Sequence, residues 1–229
     1  MRFEMAKALT ARARERAAWI GDDHGDPYEA ALLNRTVPLE MHIALKEILD
    51  HLRSGLDYCA HEMCEVATGR ISTAQIYFPI TARGFAAVDF PSRVGKLMPG
   101  LVKSRPDLVT TLAGFQPFTS KENGWLADLA TLANRTKHVE LNVNSVDAAD
   151  VKFTRDPVSG ILRREVRRSD GMPVNVSSLA LIDAPNGIEG QDCRLIYLRL
   201  GQIEQELLGF LSSALIGVSR IIETVERSL

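Results

Sequence analysis

Residues 45 to 66, LKEILDHLRSGLDYCAHEMCEV, contain the clearest periodicity in the chain. Apolar residues recur three and four positions apart, which is the spacing of one face of an α-helix. The pattern follows Pro38 and continues through the whole stretch, so it predicts one long helix in the core. The predicted apolar stripe consists of Leu45, Ile48, Leu49, Leu52, Leu56, Cys59, Ala60, Met63 and Val66.

Helical spacing also appears on both sides of this stretch. Residues 2 to 20 form one amphipathic pattern that ends at the turn GDDHGD. Five prolines interrupt residues 68 to 122 and predict short helices and loops there. A further helix begins near Asn123 and Trp125 and includes LANRTKHVEL, residues 132 to 141. Its apolar stripe is Trp125, Leu126, Leu129, Leu132, Ala133, Thr136 and Val139.

Beyond Val143 the apolar period becomes that of strands, and it returns to a helical period near residue 201. The predicted fold is therefore mainly α, a helical bundle with a small antiparallel β-sheet of three or four strands inserted before the C-terminal helix. We expect a single domain over 1–229. Its parts are a helical body at 1–143, a β meander at 148–199 and a closing helix at 201–227.

Composition favours a soluble cytoplasmic protein. The chain has 229 residues, 45% of them hydrophobic, and a net charge of -2, which argues against general binding of polyanions. Its three cysteines match no zinc-ligand spacing, and Cys59 falls on the apolar stripe as a core residue. The stretch HEMCE, residues 61 to 65, has Glu65 where a zincin helix has its second histidine. We expect no metal and no cofactor.

Polar residues lie beside two of the apolar stripes. On the long helix, Arg53 and Asp57 are four residues apart and can form an ion pair. On the second helix, Asn134 and Lys137 lie at a similar angle from the stripe, whereas His138 points away from it. Antiparallel packing of the two helices would bring together four of these residues: Arg53, Asp57, Asn134 and Lys137. Three interpretations stay open: a solvated helix face, a buried structural network, or a functional site.

Four motifs resemble a family of uncharacterised bacterial and phage proteins. They are HLRSGLD (51 to 57), YFPI (77 to 80), GFQPF (114 to 118) and LANRTKHVEL. The polar residues that match are Arg53, Asp57, Gln116, Asn134, Lys137 and His138. The chain departs from the family pattern at Thr136, where an aspartate is expected, and at Val139, where an arginine is expected. The resemblance implies the helical body and closing helix but no activity.

A second resemblance is to HEPN-type helical domains, many of which are metal-independent ribonucleases of bacterial defence and toxin systems. Their signature is an arginine followed after four to six residues by a histidine. The formal match, Arg35 to His42, crosses Pro38 and is of the kind that chance produces. The alternative is a composite site in which Arg53 and His138 meet in space.

These patterns lead to two functional hypotheses. In the first, the protein is a HEPN-like endoribonuclease that needs no metal. His138 transfers protons, Arg53 and Lys137 stabilise the charge of the phosphorane, and Asp57, Asn134 and Gln116 support them. In the second, the protein is a non-enzymatic interaction protein in which the same residues form a structural clasp.

The expected partner is RNA, another protein or a second copy of the chain, and not a membrane. The stretch RREVRR, residues 163 to 168, predicts either a solvent-exposed or edge strand, or a contact with nucleic acid or an acidic partner.

Overall fold

A computed structural model describes most of the chain. Its backbone is described for residues 2–21, 27–69, 75–134, 140–155, 162–168, 173–174, 181–183 and 193–229. Side chains are described for the same residues except 146–155, 162–168, 173–174, 181–183 and 193–195. The acidic turn at 22–26 lies outside this set, and so do Lys137 and His138.

The predicted architecture is confirmed: the described residues are mainly helical, with an antiparallel sheet before the last helix. The helix that follows Pro38 runs without interruption for 30 residues. Short helices occupy the proline-rich region, and two of them carry proline in the first turn, where a missing N–H costs nothing. The helices are α1 (Arg2–Gly21), α2 (Pro27–Asn34), α3 (Leu39–Thr68), α4 (Phe90–Leu97), α5 (Leu101–Ser104), α6 (Pro106–Gly114), α7 (Gly124–Asn134) and α8 (Leu207–Ser228).

The sheet differs from the predicted meander. Its strands are β1 (Leu141–Arg155), β2 (Leu162–Arg168), β3 (Pro173–Val174), β4 (Leu181–Asp183), β5 (Cys193–Leu200) and β6 (Gln205–Glu206). The order is β3-β2-β1-β5-β4, and β6 pairs with β5. The strands do not follow one another as in a meander, because β5 lies at the second edge of β1. Strand β1 therefore has a partner at each of its edges. It pairs with β2 on one side and, from Leu141 opposite Leu200 to Ala148 opposite Cys193, with β5 on the other.

Two boundaries also differ from the prediction, and so does the position of one strand in the sheet. The sheet starts at Leu141 rather than 148, and it does so within the predicted helical body. Helix α8 starts at Leu207 rather than 201, because β6 precedes it. The stretch RREVRR is only partly at the edge of the sheet, because Val166 and Arg167 pair with β3 as well as with β1.

The chain groups into two compact units. The first comprises 1–17, 43–138 and 211–229, and the second comprises 18–42 and 139–210. Whether the chain folds as one domain stays a prediction.

Most residues of the predicted apolar stripe of α3 are buried in the hydrophobic core. Leu45, Leu52 and Leu56 are fully buried, and so is Cys59. The prediction was wrong for Val66, which is 50% exposed. Val66 lies in the last turn of α3, two residues before the helix ends, where fewer elements remain to cover a side chain. The stripe is thus correct along the helix and fails at its end.

Helix α8 is the second large apolar element. Within the part of the chain that the structure describes, it is the one helix whose length and composition would allow it to cross a membrane, with a mean hydropathy of 1.4. Within that apolar window, 44% is buried inside the protein. A core helix of a soluble protein has the same properties, so the finding agrees with a soluble protein. The cytoplasmic location stays a prediction.

In the first compact unit, α8 has a close neighbour at Gly217. A Cβ atom at this position would overlap the indole of Trp125 on α7. The glycine therefore allows a large aromatic ring to lie directly on the helix backbone.

In the second unit, a buried polar network fixes the start of α8. The carboxylate of Glu206 accepts hydrogen bonds from the backbone N–H groups of Leu208 and Gly209 at 3.0 and 2.7 Å. The hydroxyl of Tyr28 donates to the same carboxylate at 2.8 Å and accepts from the N–H of Leu198 at 3.3 Å. The bonds from Leu208 and Gly209 satisfy N–H groups in the first turn of α8, which have no partner within the helix.

Candidate functional site

The candidate site begins on α3 with the expected pair of opposite charges. Arg53 and Asp57 are one turn apart, and Arg53 Nη2 lies 3.2 Å from Asp57 Oδ1. Their side chains are 24% and 23% exposed, so the pair is neither fully solvated nor sealed in the core. This ion pair is the first part of the predicted cluster that the structure contains.

Both members of the pair also bind the main chain of Phe78. The N–H of Phe78 donates to Asp57 Oδ1 at 2.8 Å. Arg53 Nη2 donates to the carbonyl oxygen of Phe78 at 3.4 Å. One residue of a segment outside the helices and strands is therefore held at both of its backbone hydrogen-bonding groups, as it would be beside a neighbouring strand. The YFPI motif is this segment.

Gln116 holds the next residues of the same segment. Its side chain is fully buried and makes four hydrogen bonds. Its Oε1 accepts from Thr81 N at 3.0 Å and from Thr81 Oγ1 at 3.2 Å. Its Nε2 donates to the carbonyl oxygens of Pro79 at 2.9 Å and Leu112 at 3.2 Å. Two donors and two acceptor positions are all that a glutamine amide has, so the group is saturated.

Together these residues form one unit, which we call the Phe78 clasp: Arg53, Asp57 and Gln116 around residues 78 to 81. Three of the four motifs in the family resemblance meet here, because HLRSGLD supplies the pair, YFPI is the bound segment and GFQPF supplies the glutamine. The apolar side chains of the segment, Phe78 and Ile80, are buried.

An adjacent ion pair was not predicted from the sequence. Arg83, two residues beyond the clasped segment, places Nη2 2.5 Å from Asp128 Oδ2 on α7. The Asp128 side chain is 9% exposed, whereas that of Arg83 is 57% exposed. A Cβ atom at Gly124 would lie 2.8 Å from the Arg83 guanidinium nitrogens. The signal that was available is an acid directly beside Leu129 in the apolar stripe of α7.

Burial dominates the electrostatics of Asp57. It raises the pKa of this carboxyl group above its ordinary value. The charge of Arg53, the hydrogen bond from Phe78 and the nearby His61 each oppose that rise without cancelling it. Asp57 thus binds its proton more tightly in the folded chain than in the unfolded chain.

Burial raises the pKa of Cys59 to about 12 and that of Cys64 to about 11, which disfavours the nucleophilic thiolate form. Cys59 is a core residue, as predicted.

Of the remaining predicted residues, the structure describes only Asn134. Asn134 is exposed at the last position of α7. Lys137 and His138 lie outside the described residues, so their convergence with Arg53 stays a prediction. Among the residues that the structure describes, no group of three or more His, Cys, Asp or Glu side chains could hold a metal ion.

The two residues of the formal HEPN signature do not share a helix. Arg35 follows the end of α2 with a left-handed φ of 54°, and His42 lies in the first turns of α3. Comparison of the chain with protein-family models, with curated proteins and with solved structures gives no match. Both family resemblances therefore stay predictions.

Proposed function

We propose that this protein is a non-enzymatic interaction protein, and that Arg53, Asp57 and Gln116 serve its structure rather than a reaction. The observation that supports this proposal is the saturation of the Gln116 amide by four hydrogen bonds. A catalytic or ligand-binding amide needs a free donor or acceptor, and Gln116 has none left.

The Arg53–Asp57 pair supports the same conclusion. Asp57 Oδ1 already accepts the N–H of Phe78 and faces the charge of Arg53, so the described contacts of this carboxylate oxygen are made within the protein. Removing either partner would leave a partly buried charge without its match, which is costly. The energetics of the pair are those of a structural clasp.

A protein partner, including a second copy of the chain, fits the surface charge better than RNA does. RNA binding relies on basic side chains that can contact phosphates. On α1, Arg2 pairs with Glu65, Arg12 with Glu15, and Arg16 with Glu47. Lys7 pairs with Glu226. Four of the five basic residues of this helix are thus already neutralised, in a chain whose net charge is -2, and the fifth, Arg14, bonds to the neutral hydroxyl of Ser219. The proposed location is the cytoplasm.

The test measures stability and ribonuclease activity in the same variants. We expect Arg53→Ala to lower the melting temperature by several degrees, since it removes roughly 1 to 2 kcal/mol. The matched control is Arg12→Ala, whose exposed ion pair with Glu15 contributes less than about 1 kcal/mol. Wild-type protein should leave single-stranded RNA intact in the presence of a chelator. Sedimentation velocity then separates a self-associating chain from one that needs a different protein.

The endoribonuclease hypothesis is the competing outcome of this test. It expects RNA cleavage in chelator and a loss of at least about a hundredfold in His138→Ala. The endoribonuclease hypothesis would be preferred if wild-type protein cleaves RNA in chelator, if His138→Ala loses that activity, and if Arg53→Ala keeps the wild-type melting temperature.

A further inference from the structure

The seam between α1 and α8 lies within the first compact unit and has two polar contacts. Lys7 Nζ lies 2.7 Å from Glu226 Oε1. Arg14 Nη2 donates to Ser219 Oγ at 3.2 Å. Moving seven residues along α1 thus corresponds to moving seven residues back along α8, so the two helices are antiparallel here. The two contacts are separated by about two helical turns.

A cavity lies in the middle of the seam. Halfway between the two contacts, α1 presents Ala11, which is too short to reach across. Opposite it, α8 presents Ile222, which is buried, and Glu223, which is exposed. These residues line a cavity of about 180 Å³ together with Lys7, Thr10, Arg14 and Ser219. The cavity is open to solvent and has an apolar floor.

Two opposite charges border the cavity, those of Arg14 and Glu223, and neither is paired with the other. The contact that Arg14 makes across the seam ends on a neutral hydroxyl, whereas the contact of Lys7 ends on a carboxylate. A guanidinium has five N–H donors, so Arg14 keeps donors for an anion. On the opposite wall, the carboxylate of Glu223 lies 3.9 Å from Arg227 Nη2, which is beyond hydrogen-bond distance. A cation and an anion therefore border one small cavity.

We propose that this cavity binds a small zwitterion of the amino-carboxylate class, such as a free amino acid. The ligand carboxylate would bind Arg14, and its ammonium group would bind Glu223. Ser219 is not a ligand, because its one proton is donated to the carbonyl oxygen of Leu215 at 2.9 Å and its oxygen accepts from Arg14. A short apolar side chain would lie over Ala11 and Ile222. The volume of about 180 Å³ corresponds to roughly six water molecules, which is the size of a small amino acid. This inference is independent of the proposed function, because it uses a different part of the surface.

The experiment measures thermal shifts of the full chain with glycine, L-alanine, L-serine and L-valine. Acetate and ethylammonium at equal concentration represent the two halves of the ligand. At ten times the dissociation constant, a bound ligand should raise the melting temperature by about 3 to 6 °C. We expect at least one amino acid to produce this shift and neither half-ligand to match it. If no amino acid shifts the wild-type protein more than acetate does, the proposal is wrong.

Variants then locate the site. Ala11→Met should fill the cavity, keep the fold and abolish the ligand shift. The matched control is Ala18→Met, because Ala18 is exposed on the same helix and does not line the cavity. Glu223→Gln keeps the shape of the wall and removes its charge, so it should weaken the amino acid response to the level of acetate. A full response that persists in Ala11→Met and in Glu223→Gln would overturn the assignment.

Discussion

The clearest test of the Phe78 clasp is Gln116→Met. Methionine has nearly the same length as glutamine and fills the same buried space, so the change removes hydrogen bonds without opening a cavity. It leaves the N–H of Thr81 and the carbonyl of Pro79 without their partner. Each orphaned buried group costs about 1 to 3 kcal/mol, so the free energy of unfolding should fall by about 2 to 6 kcal/mol. In a domain of this size, a loss near 4 kcal/mol lowers the melting temperature by roughly 8 to 16 °C.

The assay is urea unfolding followed by circular dichroism, with the melting temperature as a second measure. The matched control is Thr81→Val, which removes the 3.2 Å bond from the Thr81 hydroxyl to Gln116 and keeps the backbone bond. This control should cost about 1 kcal/mol. The reasoning would be refuted by a Gln116→Met protein within about 0.5 kcal/mol of wild type. Equal losses in the two variants would contradict the assignment of the main effect to the backbone groups.

Two further predictions concern α8 and Asp57. Gly217→Ala should lower the free energy of unfolding by about 1 to 3 kcal/mol, because the indole of Trp125 must move away from the added methyl group. Gly114→Ala is the control, because a Cβ atom there meets nothing within 4 Å. Its free energy of unfolding should lie within about 0.5 kcal/mol of the wild-type value or above it. Equal losses in the two variants, measured by urea unfolding, would contradict the packing argument. Since the pKa of Asp57 is raised in the folded state, its stabilising contribution is present below its ordinary pKa of 3.8 and is lost as the pH rises through the folded value. The stability of wild type relative to Asp57→Asn should therefore increase as the pH falls from 7 to about 4, and a flat or opposite dependence would show that burial does not dominate.

Local patterns in the sequence were enough to predict α1, α3 and most of α8. They did not predict α2, and they predicted a helix up to Leu141, where β1 begins. The stripe from Leu45 to Met63 requires only neighbours three and four residues away, and it was correct until the end of α3, where Val66 is exposed. The order of the strands was not predictable in the same way. The pairing of Leu141 with Leu200 joins residues far apart in the chain, and nothing in either strand states which partner each edge will take.

The candidate site likewise has a part that local spacing predicts and a part that depends on distant residues. The pairing of Arg53 with Asp57 follows from their spacing on one helix. The role of Gln116 does not, because its partners are backbone groups of Pro79 and Thr81, and a backbone group leaves no trace in the sequence. Asp128 offered a weaker signal, an acid beside an apolar stripe, but its partner Arg83 lies 45 residues earlier. Side chains that bind distant main chain are thus the part of a site that sequence patterns reveal least.

The contacts between α1 and α8 have a consequence for synthesis of the chain. Lys7 and Glu226 are 219 residues apart, and Arg14 and Ser219 are 205 apart. A ribosome adds about 5 to 20 residues per second, so α1 emerges roughly 10 to 40 s before the helix it packs against. During that interval the nascent chain exposes the side of α1 that α8 later covers. A chaperone or protease therefore meets this protein in a state that lasts far longer than most folding steps of a small domain, and the supply of mature protein depends on how well that delay is tolerated.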